Sequence, residues 1–214
     1  MVREVMESAV NQTIYWGPIR LQDINFVMAV TDSGLGYLQF QKGDARDGVD
    51  VEAWQAFTQW ARKIGHPSGW IQQEDRLKPY MQQLDEYLSG VRTNFELPLD
   101  LRGTAFQQSV WRALHEIGHG ETVSYSQVAQ TLDKSSAVRA VGTAIGANPV
   151  LIVVPCHRVV GKNGALTGYR GGLENKEKLL LLERAGKFMP ISAPMHKILN
   201  MDKNTEKEMN GIRN

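Results

Sequence analysis

The rhythm of apolar and polar residues changes several times along the chain. Thr13-Ile14-Tyr15-Trp16 and Asn25-Phe26-Val27-Met28-Ala29-Val30 are short β-branched and aromatic runs that read as strands. Thr31-Asp32-Ser33-Gly34 is a turn sequence leading into Leu35-Gly36-Tyr37-Leu38-Gln39-Phe40, so an antiparallel hairpin or meander is predicted. From Val51 to Ile64 the spacing becomes helical, with Trp54, Phe57, Trp60, Ala61 and Ile64 on one face. Leu77, Met81, Leu84 and Leu88 repeat that spacing. Phe95-Glu96-Leu97-Pro98-Leu99 fits a short strand, and Pro98 favours an edge. No internal repeat interrupts this order.

Three helices are predicted next. Thr104 can cap one that carries Phe106, Val110, Trp111 and Leu114 and closes near Gly118. Ser124 can cap a second with Val128, Ala129 and Leu132. Ser135 or Ser136 can cap a third through Arg139 to about Ala147. Two short helices joined by a tight turn match a helix-turn-helix, although any helical bundle contains such pairs. The third helix is rich in small residues: Ala137, Ala140, Gly142, Thr143, Ala144, Gly146 and Ala147. They allow close packing against another helix, or entry into a narrow surface such as a minor groove about 6 Å wide.

At 42% apolar and 22% charged, the 214 residues compose an ordinary globular chain of one large or two small domains. No apolar stretch approaches the roughly 20 residues of a membrane span, and the N-terminus lacks a signal-peptide core. A single cysteine without an export signal points to a reducing cytoplasm. The net charge of +1 hides an asymmetry. Residues 1–100 carry a net −5, and residues 101–185 carry +4. A basic second half is the footprint expected of phosphate binding, or a chance imbalance. Lys187 to Asn214 loses apolar periodicity and reads as a polar, mobile tail.

Cys156 ends the apolar run Val150-Leu151-Ile152-Val153-Val154-Pro155. Most lone cysteines are small buried hydrophobes. Here Pro155 stops a strand pattern and the polar His157-Arg158 follows, so the run predicts a strand that presents Cys156 at its end. A free thiol titrates near 8.5 and is only about 3% thiolate at pH 7, so a nucleophile here needs a base or a positive field. Adjacent strand residues face opposite ways, so direct contact between Cys156 and His157 is not required by the sequence. Val160 to Gly172 holds five glycines, a loop whose backbone can approach a ligand closely. It lacks the Gly-Lys-Ser or Gly-Lys-Thr ending of a phosphate loop.

Pro155-Cys156-His157-Arg158-Val159 followed by Gly168-Tyr169-Arg170-Gly171-Gly172-Leu173 closely resembles the active site of the O6-alkylguanine-DNA alkyltransferases. The resemblance extends through Gly120-Glu121-Thr122-Val123-Ser124-Tyr125, Ala137-Val138-Arg139-Ala140-Val141-Gly142 and Ala147-Asn148-Pro149, and on to Glu183. It covers about residues 100 to 185, with a weaker likeness back to about residue 10.

The resemblance implies an α+β protein. Residues 1–100 would form a mostly antiparallel, ribonuclease H-like α/β domain. Residues 101–185 would form a mainly helical, winged-helix-like domain with the helix-turn-helix. It implies transfer of an alkyl group from O6-alkylguanine, or O4-alkylthymine, in double-stranded DNA to Cys156, once per molecule. No cofactor, metal or obligate protein partner is implied. By the same resemblance His157 relays to the thiol through a water and is oriented by Glu183, which is otherwise an ordinary solvated helix residue. Asn148, a turn former by composition, would hold the active segment. Tyr125, otherwise a half-buried aromatic, would contact the flipped nucleotide. Arg139, otherwise a solvated charge, would fill the space of the extruded base. Ser124, Ala137 and Ala140 would meet DNA. Val159, Tyr169, Arg170 and Gly171 would wall the pocket, with Tyr169 and Arg170 at its rim. Arg170 replaces the small residue of some members, and Gly118-His119-Gly120 departs from a proline-containing turn, leaving His119 as a surface turn residue. Two rival classes remain open at this point: a lesion-binding sensor, which Cys156 argues against, and a cysteine hydrolase.

Overall fold

The computed structural model describes residues 13–66 and 68–185, so the reading of 186–214 as a tail lies outside the described residues. Strands β1 (Ile14–Leu21), β2 (Ile24–Thr31) and β3 (Gly34–Phe40) form the predicted antiparallel meander. After α1 (Val51–Lys63), the short β4 (Trp70–Gln72) pairs parallel to β1, giving the order β3-β2-β1-β4. Three residues carry too little pattern to reveal β4 in sequence. α2 (Lys78–Leu88) follows.

Both faces of the sheet are covered, which is why β2 reads as an unbroken apolar run. Val27 and Ala29 face α1, packing with Ile14, Tyr37, Ala53, Phe57 and Ala61. Phe26, Met28 and Val30 face the other way, toward Leu84, Tyr87 and Leu88 of α2 and the helices that follow. β3 puts both Leu35 and Leu38 on this second face because its ladder skips Gly36: Val30 pairs with Leu35, while Ala29 pairs with Tyr37. A Cβ on Gly36 would lie 2.9 Å from the Trp60 ring. The bulge therefore requires glycine.

The expected strand at Phe95–Leu99 is instead a single bridge between Leu99 and Leu35. Leu35 N donates to Pro98 O and Asp100 N to Leu35 O, but Pro98 has no N–H with which to extend a ladder.

The remaining chain is mainly helical. α3 (Ala105–His115) starts at a capping box between Thr104 and Gln107, and α4 (Tyr125–Thr131) at another between Ser124 and Gln127. Each such cap contributes about 1 kcal/mol. α5 (Val138–Gly146) differs from expectation. Ser135–Ala137 winds as one 3-10 turn, and no side chain caps the helix. Its small residues divide by face. Ala144 is buried, and its carbonyl accepts from Trp111 Nε1 of α3 at 2.8 Å. Ala140 and Arg139 point outward. β5 (Val123–Ser124) pairs parallel with β6 (Val159–Val160), and α6 (Leu173–Ala185) closes the described chain. One apolar cluster runs from the sheet through α2, α3, α4, α5 and α6. No helix among the described residues is long and apolar enough to cross a membrane.

The run before Cys156 is the main correction. Val150–Val154 is a buried turn, not a strand, and Cys156–Arg158 is one turn of 3-10 helix. Asn148 makes the turn possible: its Nδ2 donates to Val154 O at 2.9 Å, and its Oδ1 accepts from Val150 N at 2.9 Å. These bonds satisfy locally the backbone groups that a strand would pair across a ladder. Ile152 takes φ 72°, a conformation costing a β-branched residue about 1–3 kcal/mol. The edge of β3 holds the segment in place. Leu38 N donates to Pro149 O, Leu151 N to Leu38 O, and Gln39 Nε2 to the carbonyls of Asn148 and Pro149.

Candidate active site

Cys156 is 4% exposed, and its Sγ accepts from Asn148 Nδ2 at 3.1 Å. Burial pushes the thiol up to about 11, against the pull of Asn148, Lys176 and Arg170. At neutral pH roughly one molecule in ten thousand would then hold a free thiolate, so the thiol needs a base. No hydrogen bond joins it directly to His157 among the described residues.

His157 is fully buried, and its Nε2 lies 2.8 Å from Glu183 Oε1. Burial raises the cost of charging Glu183, but His157 and Arg158 outweigh it and hold the carboxyl well below the usual range. Arg158 donates to both carboxylate oxygens from Nε, at 3.1 Å each, and from Nη2 to Oε1 at 2.9 Å. Gly120 N donates to Oε2 at 3.0 Å. Tyr87 OH donates to Oε1 at 2.5 Å and stands 3.4 Å from His157 Nε2. A carboxylate kept ionised accepts, so Nε2 of the neutral imidazole carries the hydrogen. That leaves Nδ1 as the basic lone pair, and it is buried without a protein partner among the described residues. Burial also lowers the proton affinity of His157, while Glu183 restores part of it.

Tyr125 opens α4, and its hydroxyl donates to Thr167 O at 3.2 Å and Gly168 O at 3.3 Å in the glycine loop. Ser124 is occupied as the N-cap of α4. Ala137 is half-buried, and Arg139 and Ala140 are exposed on the outer face of α5. Val159 is buried beside the Cys156 turn, and Arg170 is exposed. Tyr169 departs from its expected rim position. Its ring packs edge-on to His157 and Phe40, and its hydroxyl is buried. Gly171 lies between two rings, where a Cβ would come within 2.5 Å of Phe40 and 2.6 Å of Tyr169. His119 also departs from expectation, being half-buried with its ring edge-on to Tyr87.

Thus Cys156, His157, Asn148, Glu183, Val159 and Tyr169 come together, while Ala137, on the turn before α5, and Arg139 and Ala140, on α5, lie apart. Three participants were not singled out from sequence: Tyr87, Arg158 and Lys176. Lys176 shares a helical face with Leu179, Leu180 and Glu183, a spacing that could have marked it as buried. Tyr87 lies between Leu84 and Leu88 and is indistinguishable there from a core aromatic. No group of three or more His, Cys, Asp or Glu side chains that could hold a metal occurs among the described residues.

The fold and site define a class: a single buried thiol next in sequence to a histidine that is paired with a carboxylate, in a chain with a helix-turn-helix formed by α4 and α5. Residues 105–185 match the family described as "6-O-methylguanine DNA methyltransferase, DNA binding domain". Residues 14–101 match "6-O-methylguanine DNA methyltransferase, ribonuclease-like domain". The inducible methylated-DNA–protein-cysteine methyltransferase of Bacillus subtilis (strain 168) is 48% identical over 172 residues, which is 80% of this chain and 91% of that protein. A relative of the same description from Methanosarcina acetivorans is 41% identical, over 73% of this chain and 90% of its own. The crystal structure of Mycobacterium tuberculosis OGT in complex with DNA superposes with a TM-score of 0.68 at 35% identity, covering 83% of this chain and 98% of that one. The chain belongs to the methylated-DNA–protein-cysteine methyltransferase family.

Proposed function

We propose that this protein repairs DNA by moving an alkyl group from O6-alkylguanine, or O4-alkylthymine, irreversibly to Sγ of Cys156. The observation that carries this reading is the His157–Glu183 contact, which leaves Nδ1 as a buried base in the same site as the chain's one thiol. Cys156 gives its proton to His157 through a bridging water, and Glu183 stabilises the imidazolium that results. The Sγ–C bond forms as the C–O6 bond breaks, the leaving guanine takes a proton from Tyr125, and solvent water reprotonates the Tyr125 phenolate and accepts the proton held by the His157 imidazolium. A thioether does not hydrolyse, so each molecule acts once. Asn148 holds the Cys156 turn in shape, and Val159, Tyr169, Arg170 and Gly171 border the base.

The helix-turn-helix would meet duplex DNA through exposed Ala140, with Ser124 and Ala137 beside it. Arg139 would occupy the stack left by the extruded nucleotide. No cofactor enters the reaction, no protein partner is needed, and the cytoplasm keeps the single thiol reduced.

Intact-mass spectrometry after mixing with duplex DNA containing O6-methylguanine tests the reading. One methyl group should appear on the wild-type protein and none on Cys156→Ala, which should still bind DNA because phosphate contacts supply most of the affinity. Demethylation by Cys156→Ala would remove Cys156 as acceptor. Many turnovers by the wild type would point to a hydrolase, and binding without transfer to a lesion sensor.

A further inference from the structure

Lys176 is fully buried in α6, where a lysine is costly unless its charge is used or matched. Its Nζ donates to Val159 O at 2.6 Å and to Thr167 O at 2.7 Å. Val159 follows the Cys156 turn, and Thr167 belongs to the glycine loop, so one ammonium joins two segments that border the thiol. The Thr167 carbonyl also takes the Tyr125 hydroxyl, which ties the start of α4 to the same point. No carboxylate pairs with Lys176 among the described residues. Burial pulls its proton affinity down to about 8, and the Cys156 thiolate opposes that pull. The effect is mutual, since Lys176 lowers the thiol's own proton affinity.

We propose that Lys176 is a positioning residue of the transfer, its ammonium clamping β6 to the glycine loop, two segments that border the Cys156 thiol. The proposal rests on Cys156 as the acceptor and deepens that reading. Asn148 before the turn donates to the thiol, and Lys176 from α6 and Arg170 and Tyr169 from the loop are coupled to it through charge. His157 is on the thiol's own turn, and Lys176 lowers its proton affinity as well. Arg170 is exposed and screened by solvent, so Lys176 is the cation the buried thiol senses most directly.

Three variants of the full chain separate clamp from charge. Lys176→Met removes both, Lys176→Gln keeps an N–H donor without charge, and Lys176→Arg keeps the charge. The readout is the pH dependence of Cys156 carboxamidomethylation by iodoacetamide, followed by intact mass, which needs no alkylated DNA. Below pH 8, where the Lys176 ammonium is present, the carboxamidomethylation rate at a given pH should fall about tenfold in Lys176→Met and Lys176→Gln, and return toward wild type in Lys176→Arg. Rates on O6-methylguanine duplex should fall about tenfold at pH 7 in the two uncharged variants. An unchanged rate below pH 8 with only a lower melting temperature would overturn the proposal, because a structural lysine alters stability without changing the thiol's reactivity. Should Lys176→Met not fold, Lys176→Gln decides on the same criterion. A lowered carboxamidomethylation rate in the uncharged variants, with a wild-type protein that never accepts methyl from DNA, would refute the repair reading and leave the lysine's electrostatic role standing.

Discussion

The sheet half and the helical half of this molecule are built on opposite rules for their interiors. Between the sheet and α1 the packing is aromatic and aliphatic, with Phe57 in ring contact with Trp16, Tyr37, Trp54, Trp60 and Trp70. The polar residues buried in the sheet half, Thr31, Gln39 and Gln41, are uncharged. The helical half buries Asn148, His157, Arg158, Lys176 and Glu183. A core of the first kind is stabilised by area removed from water and tolerates swaps of similar volume. A core of the second kind holds only while every charge keeps its partners, because each ion leaves water at a cost of several kcal/mol. The difference shows where chemistry is sited: the sheet supplies a rigid edge at β3, and the helical half hangs a polar network from it.

The contrast predicts unequal damage. Arg158→Met should destabilise by about 3–5 kcal/mol in urea unfolding, since Glu183 would remain buried against His157 without its cation. Phe57→Leu in the sheet half should cost about 1–2 kcal/mol, as apolar surface is exchanged for a smaller apolar side chain. Equal losses would erase the distinction.

Glu183→Gln should cost about 2–4 kcal/mol at neutral pH by leaving Arg158 buried without its anion. It should also alter two pH profiles. The folded carboxyl sits below its unfolded value, so its stabilisation is present above the ordinary carboxylate range and fades as pH falls through the lower, folded value. The acid limb of stability should therefore be flatter in the Gln variant. The methyl-transfer profile should move toward higher pH, because an amide cannot stabilise the imidazolium that takes the Cys156 proton. A wild-type rate from pH 6 to 9 would remove Glu183 from the relay.

The same contrast decides what could be read from the chain beforehand. The meander, α1, α2 and the capped starts of α3 and α4 follow from local rules, namely apolar period and a Ser or Thr at the right position. The turn at 150–154 does not. Its apolar residues read as a strand, and the Asn148 side chain, acting within six residues and backed by the distant edge of β3, diverts the backbone. Cys156 and His157 are adjacent in sequence, and their motif carried the resemblance. Their supports come from far along the chain, with Glu183 26 residues beyond His157 and Tyr87 70 before it. The spacing of Glu183 with Leu179 and Leu180 could mark it as buried, but nothing local says that His157 and Arg158 are what it meets there.

Arg139 extends the comparison to the surface of the helical half, where charge is solvated and no interior is at stake. Arg139→Ala should leave stability nearly unchanged. On the proposed role it should slow repair of O6-methylguanine duplex by about tenfold or more, because base extrusion costs a few kcal/mol and a side chain entering the stack recovers part of it. Reaction with free O6-benzylguanine, which needs no extrusion, should stay near wild type. Equal losses on both substrates would make Arg139 structural.

Tyr87 is the point at which the two rules meet. It comes from α2, within the ribonuclease-like match, yet its hydroxyl ends in the polar network as one of four groups donating to Glu183. Tyr87→Phe should cost only about 1 kcal/mol, since His157, Arg158 and Gly120 continue to satisfy the carboxylate. Its effect on pH should be opposite in sign to that of Glu183→Gln. A carboxylate relieved of one donor concentrates its charge on those that remain, holds the imidazolium more firmly, and lets His157 take the thiol proton at lower pH. The methyl-transfer profile of Tyr87→Phe should therefore move toward lower pH, measured on the same duplex and over the same range. A shift toward higher pH would mean that Tyr87 acts by aligning His157, and that its share of the carboxylate charge is incidental.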